Sequence, residues 1–152
     1  MTVSELLVAR REAIVDRATE SLSRAHLPSY EAVGPERSRE RLTHLLELTI
    51  WAIERRSLNE LMRYVEKIAE GRFQAGFTLP EVQTAVNVLE EAIWQTVVAE
   101  VPPAELAEAF GLVGTALGAF KDRLAAAYVE LASHTKSPSL DLRALFNGTA
   151  AG

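Results

Sequence analysis

The chain has 152 residues, 16 basic against 21 acidic side chains for a net charge of −5, 48% hydrophobic and 24% charged content, and no cysteine. That length suits one domain with a single substantial core, and the composition is that of a folded chain rather than a disordered one. The acidic balance disfavours nucleic acid or an anionic membrane as the main partner, and the lack of cysteine excludes disulfides, thiolate catalysis and cysteine metal sites.

The dominant period is helical, without convincing strand alternation. The first segment, about Ser4 to Ala25, has Thr2 and Glu5 at capping-box spacing and Leu7, Ile14, Ala18 and Leu22 on one face, which predicts one long amphipathic helix. His26 to Tyr30 and then Gly34-Pro35 break the pattern and predict the one sizeable internal loop. A second helix is expected from about Glu36 to Arg56, with Leu42, Leu45, Leu46, Thr49 and Ile53 inward and Leu48 and Trp51 widening the stripe. Ser57 precedes Glu60 by three residues, so a third helix is expected to begin there with a capping box, bury Leu58, Leu61, Met62, Val65, Ile68 and Phe73, and end at Gly76.

Gly76-Phe77-Thr78-Leu79-Pro80-Glu81 is the most informative stretch. Gly76 can take the left-handed conformation that stops a helix, Thr78 and Glu81 have the spacing of a second capping box, and Phe77 and Val82 that of a hydrophobic staple. The spacing predicts a tight hinge into a fourth helix carrying Val82, Ala85, Val86, Leu89, Ile93 and Val97, ended by Val101-Pro102-Pro103. A fifth and longest helix, about Ala104 to Ser133, presents Phe110, Val113, Leu117, Phe120, Leu124, Tyr128 and Leu131. Thr135 to Pro138 reads as a stop, with a short amphipathic turn over Ser139 to Phe146 and a weakly ordered tail from Asn147 to Gly152. The expected organisation is one helical domain over 1–134 and a tail or linker over 135–152.

Gly111, Gly114 and Gly118 each cost about 1 kcal/mol inside a helix relative to alanine, so tertiary structure should offset them. Close packing against another helix of the chain, or against a second subunit, are the two readings; a phosphate loop lacks its Lys-Ser/Thr ending and a preceding strand. His26, His44 and His134 share no metal-ligand spacing, and Glu90-Glu91 and Glu105 with Glu108 read as solvated faces. Arg10-Arg11, Arg37, Arg39, Arg41 and Arg55-Arg56 alternate with glutamates as mixed-charge surfaces. No catalytic residues, cofactor or metal are expected. The N-terminus lacks a signal-peptide pattern, and the apolar run Ala109 to Phe120 is too short and glycine-rich for a bilayer, which fits a cytoplasmic setting.

Leu6-Leu7 followed by Arg10-Arg11-Glu12 and Ile14, then Arg72 to Glu81, then Leu89 to Trp94, together resemble the N-terminal sensor domain of the RsbR/RsbRD co-antagonist family over about Leu6 to Leu131. The resemblance implies an all-α, non-heme, globin-like domain of about five long helices that forms a homodimer and works in bacterial stress signalling, in stressosome-type assemblies, without catalysis of its own. It also implies a STAS-domain or kinase signalling partner. The length after Ser137-Pro138 leaves no room for such an output domain, which is then expected from another chain or from a longer protein. A dimer contact is expected on the last two long helices, near Trp94, Val98, Leu112, Ala116 and Ala119, from apolar residues outside the main stripes. The alternative is a small-ligand- or heme-binding sensor with a pocket between the second, third and fifth helices.

Overall fold

A computed structural model of the protein describes residues 1–136. Among these residues the protein is all α, with seven helices and one 3-10 turn. The expected Ser139 to Phe146 turn and Asn147 to Gly152 tail lie outside the described residues.

The first expected helix is two helices, α1 (Val3–Ala9) and α2 (Arg11–Arg24). The Thr2–Glu5 capping box forms, with both its side-chain-to-backbone bonds present. The break at Arg10 carries no glycine or proline; instead Arg10 Nε and Nη2 donate to the Glu100 carboxylate at 2.8 and 2.6 Å, a forked pair to the far end of another helix. The segment read as a loop contains a short helix, α3 (Pro28–Val33), with proline in its first turn and Gly34 closing it at φ +88.

Helix α4 (Pro35–Arg55) ends at Arg56 in the left-handed region, and α5 (Asn59–Gln74) follows. The capping box expected from Ser57 and Glu60 does not form. Leu58 is the N-cap residue, the Ser57 hydroxyl accepts only a 3.4 Å bond from the Asn59 N–H, and the Glu60 carboxylate turns to Arg63. Local spacing was satisfied there, but the register of the helix start moved one residue on. Helix α6 (Leu79–Glu100) has the predicted capping box, and after a 3-10 turn (Pro103–Glu105) comes α7 (Leu106–Lys136), the longest helix among the described residues at 31 residues.

The apolar faces close on one core. Helix α7 packs against α5 and α6, and α2 packs against α6 and α4. Phe120, Leu117 and Leu124 of α7 share one core with Leu61 and Val65 of α5, Leu89 and Ile93 of α6, Ile14 and Val15 of α2 and Leu46 of α4, all fully enclosed. Burying a side chain of this size contributes about 1.5–3 kcal/mol, so this set supplies most of the driving force that brings the helix termini to their places.

Candidate functional site

The turn between α5 and α6 is built twice over. Gly76 adopts φ +88, the Gly76 N–H donates to the Phe73 carbonyl at 3.1 Å, and the Phe77 N–H donates to the Arg72 carbonyl at 2.9 Å, which is a Schellman stop. The Glu81 carboxylate then accepts from the Thr78 N–H at 3.0 Å and the Thr78 hydroxyl at 3.3 Å. It also accepts from the Ser29 N–H and hydroxyl, both at 2.9 Å, so one side chain caps α6 and holds the first turn of α3. Glu81 is only 8% exposed. Burial alone would raise its pKa, but the hydrogen bonds from Thr78 and Ser29 outweigh that and hold the carboxyl below the usual glutamate value. From the other side the Tyr128 hydroxyl donates to the Phe77 carbonyl at 3.0 Å, and burial pushes the Tyr128 pKa up to about 12.

The ring of Phe77 faces inward and collects cations. The Arg41 and Arg72 Cζ atoms each lie 5.6 Å from its centroid, and Tyr30 meets it edge-on at 5.0 Å. Tyr30, Arg41 and Arg72 line a cavity of about 30 Å³ bounded by α3, α4, α5, α6 and α7. Ser38, Arg41, Leu42 and Leu45 reach it from one face of α4, and Tyr64, Ile68 and Arg72 from one face of α5, each set at helical spacing. Val82, Ala85, Val86 and Phe120 complete the apolar side. Arg41 Nη1 and Arg72 Nε are buried with no hydrogen-bond partner. Burial, and then repulsion from Arg72 and Arg37, lowers the Arg41 pKa from the usual arginine value. Burial raises the pKa values of Tyr30 and Tyr64, so both hydroxyls stay protonated and can donate. Arg41 was read from sequence as part of a mixed-charge surface; the signal that it faces inward is its place beside Leu42 and Leu45 on the buried stripe.

Against protein-family models, residues 10–135 match the RsbT co-antagonist protein RsbRD N-terminal domain. The chain belongs to this family. No curated protein and no solved structure gives a match. Within this RsbRD N-terminal domain the distinctive Arg72 to Glu81 segment is the turn just described, and the residues expected at a dimer contact fall in three different places.

Trp94 on α6 is half-buried with its ring 4.3 Å from that of Phe110 on α7, and Val98, one turn on, is 60% exposed. Ala116 is 2% exposed inside the chain, so it drops out of the expected interface: its place on α7 faces the core. Leu112 and Ala119 are partly buried and lie roughly 180–200° round α7 from Phe110, away from Trp94. By the same step Gly114 lies roughly 40° from Phe110, Gly118 roughly 80° and Gly111 roughly 100°, between the Phe110 and Ala119 directions. A methyl group added at any of the three would meet nothing within 4 Å. Close packing against another helix of the same chain is therefore not their role.

The remaining candidates are dispersed. His26 is exposed beside Glu31 at 3.0 Å, His44 is exposed with its ring against Tyr64 at 4.7 Å, and His134 is exposed; none lines the cavity. Among the described residues no group of three or more metal-ligating side chains forms, and no helix is long and apolar enough to cross a membrane. Glu90 is paired with Lys121 at 2.9 Å and Glu108 with Arg56 at 3.4 Å.

Proposed function

We propose that this domain is a non-catalytic input and oligomerisation module of bacterial stress signalling, working as a homodimer alongside a STAS-domain or kinase partner in the cytoplasm, in a stressosome-type assembly. Membership of a co-antagonist family, which is regulatory, carries the signalling part of the reading. The globin-like description of the domain belongs to the same reading.

The dimer surface that the geometry supports is narrower than the sequence suggested. Trp94 of α6 packs on Phe110 of α7 with Val98 60% exposed one turn on, and Gly111, Gly114, Gly118 and Val129, the last 63% exposed, fall within about 60° of one another round α7. An exposed valine at each end of a stripe with open space over its glycines suits close approach of a second copy's helices. Sedimentation velocity of the wild-type chain is expected to show a dimer, and Val98→Glu a monomer with an unchanged helical spectrum. A wild-type chain that sediments as a monomer at high concentration would overturn the dimer.

A heme sensor finds little support in the cavity, which at about 30 Å³ has no room for a porphyrin and is lined by no histidine. A small-ligand sensor does find support, because the cavity lies among the helices where such a pocket was expected and carries two unpaired buried guanidinium nitrogens.

A further inference from the structure

Arg41 and Arg72 are two half-buried cations, each with one guanidinium nitrogen enclosed and unpartnered. Both guanidinium groups lie against Phe77, and Arg37 adds a third positive charge nearby. The Glu81 carboxylate is already occupied by Ser29 and Thr78, neither Arg41 nor Arg72 makes an ion pair within 4.0 Å among the described residues, and the partner of Arg72 is the neutral Tyr30 hydroxyl, which leaves Arg72 Nε and Arg41 Nη1 without an acceptor. Burying a charged donor without an acceptor is among the costliest arrangements a fold can hold, and buried polar groups of native proteins are nearly always satisfied. The other cationic side chain on an aromatic ring does not share this condition: Arg55 lies over Trp51 at 4.8 Å and is exposed.

The cavity shape selects the missing acceptor. Its polar lining is the two guanidinium groups, Tyr30, Tyr64 and Ser38, and Arg41, Arg72, Tyr30 and Tyr64 lie close enough to act on one another electrostatically. Its other walls are Leu42, Leu45, Ile68, Val82, Val86 and Phe120, which offer no hydrogen-bond donor. A tetrahedral oxyanion would press at least one oxygen against hydrocarbon, whereas a carboxylate puts both oxygens at one end and carbon at the other. The volume of about 30 Å³ exceeds the roughly 10–15 Å³ needed for one water and suits a small guest. We propose that Arg41 and Arg72, with Tyr30, Tyr64 and Ser38, form a binding site for a short-chain monocarboxylate whose hydrocarbon end packs among Leu42, Val86 and Phe120. The planar guanidinium fork suits carboxylate geometry, and the apolar floor excludes the fully hydrated anions.

Isothermal titration of the purified chain with sodium propionate, with sodium phosphate and sodium chloride at matched ionic strength as comparisons, tests this. One propionate per chain is expected, with a rise in melting temperature that phosphate and chloride do not give. Arg41→Gln and Arg72→Gln should each weaken binding about tenfold or more while the empty protein melts at the same or a higher temperature, since an unpaired charge is removed. Arg72→Lys keeps the charge but loses the fork and Nε–H; it should fold and still bind more weakly, and Arg55→Gln should bind like wild type. Absence of propionate binding, phosphate binding as tightly as propionate, or wild-type binding by Arg41→Gln and Arg72→Gln would each overturn the assignment. The site deepens the sensory reading above, but it is measured by ligand binding alone, so its failure leaves the sedimentation result to decide the dimer separately.

Discussion

Replacing Glu81 by alanine tests whether this side chain is a local cap or a bridge between helices. The Thr78–Glu81 box by itself is worth about 1 kcal/mol, the usual cost of losing an N-cap. The two bonds from Ser29, at 2.9 Å to a charged acceptor, add about 1.5 kcal/mol each before water returns to the freed donors. Ser29 is half-buried, so water recovers part of that loss, and the expected cost of Glu81→Ala is about 2–3 kcal/mol against about 1 kcal/mol for Thr78→Ala. Urea unfolding followed by circular dichroism at neutral pH measures both, and a double-mutant cycle with Ser29→Ala should return a coupling of about 1–2 kcal/mol. The acid dependence has a definite sign. The Glu81 pKa is lowered in the folded protein, so its contribution is complete above the unfolded glutamate value of about 4.3 and is lost as pH falls through the folded pKa. The gap between wild type and Glu81→Gln should therefore close in acid. Equal losses for Glu81→Ala and Thr78→Ala, with no coupling to Ser29, would refute the bridge.

Other substitutions probe the neighbouring devices. Gly76→Ala places a side chain at φ +88 in otherwise open space and should cost about 1–2 kcal/mol from backbone strain alone, read by the same urea titration. Tyr128→Phe removes the hydroxyl from the buried Phe77 carbonyl and should cost about 1–2 kcal/mol with no change in helix content by far-ultraviolet dichroism. Gly118→Ala enters open space on α7 and should raise the stability of the monomeric Val98→Glu background by about 0.5–1 kcal/mol, while in the wild-type background it should weaken the dimer seen by sedimentation.

Features governed by sequence-local rules were legible. Thr2 with Glu5, and Gly76 with Thr78 and Glu81, work through bonds three to five residues long, and their spacing carries the whole geometry. The five apolar stripes also read correctly, because helical period is a local property. What escaped depends on partners distant in the chain. The break at Arg10 is tied to Glu100, 90 residues on, and α3 is held by Glu81, 52 residues away, so neither shows in a window of sequence. Ser57 and Glu60 failed for the converse reason: the spacing was present, but the chain turned at Arg56 in the left-handed region and Leu58 took the capping position. Arg41 was misread because charge was weighed above position; its neighbours at i+1 and i+4, Leu42 and Leu45, are buried.

The spacing of Arg72, Gly76, Phe77 and Glu81 has one physical explanation that joins the turn to the cavity. A Schellman stop pairs the residue two past the C-cap with the one three before it, here Phe77 with Arg72 about the C-cap Ala75, through the 2.9 Å backbone bond. That pairing is normally sealed by a contact of two apolar side chains; in this chain the contact is a guanidinium over an aromatic ring. The helix stop therefore places the Arg72 charge, and the same ring receives Arg41 from α4. Glu81 fixes α3, whose Tyr30 closes the ring's edge, and Tyr128 fixes the Phe77 carbonyl from α7. Moving Gly76 by one residue would rotate Phe77 away from Tyr128 and separate the two arginines, so the turn and the cationic site cannot vary independently. A Phe77→Leu variant keeps the stop and the backbone bonds while removing the π face. It should leave helix content intact and loosen the placement of both guanidinium groups, which the exchange-broadening of their Nε–H signals in nuclear magnetic resonance would register. Unchanged Nε–H signals in that variant would mean that the ring does not position the pair.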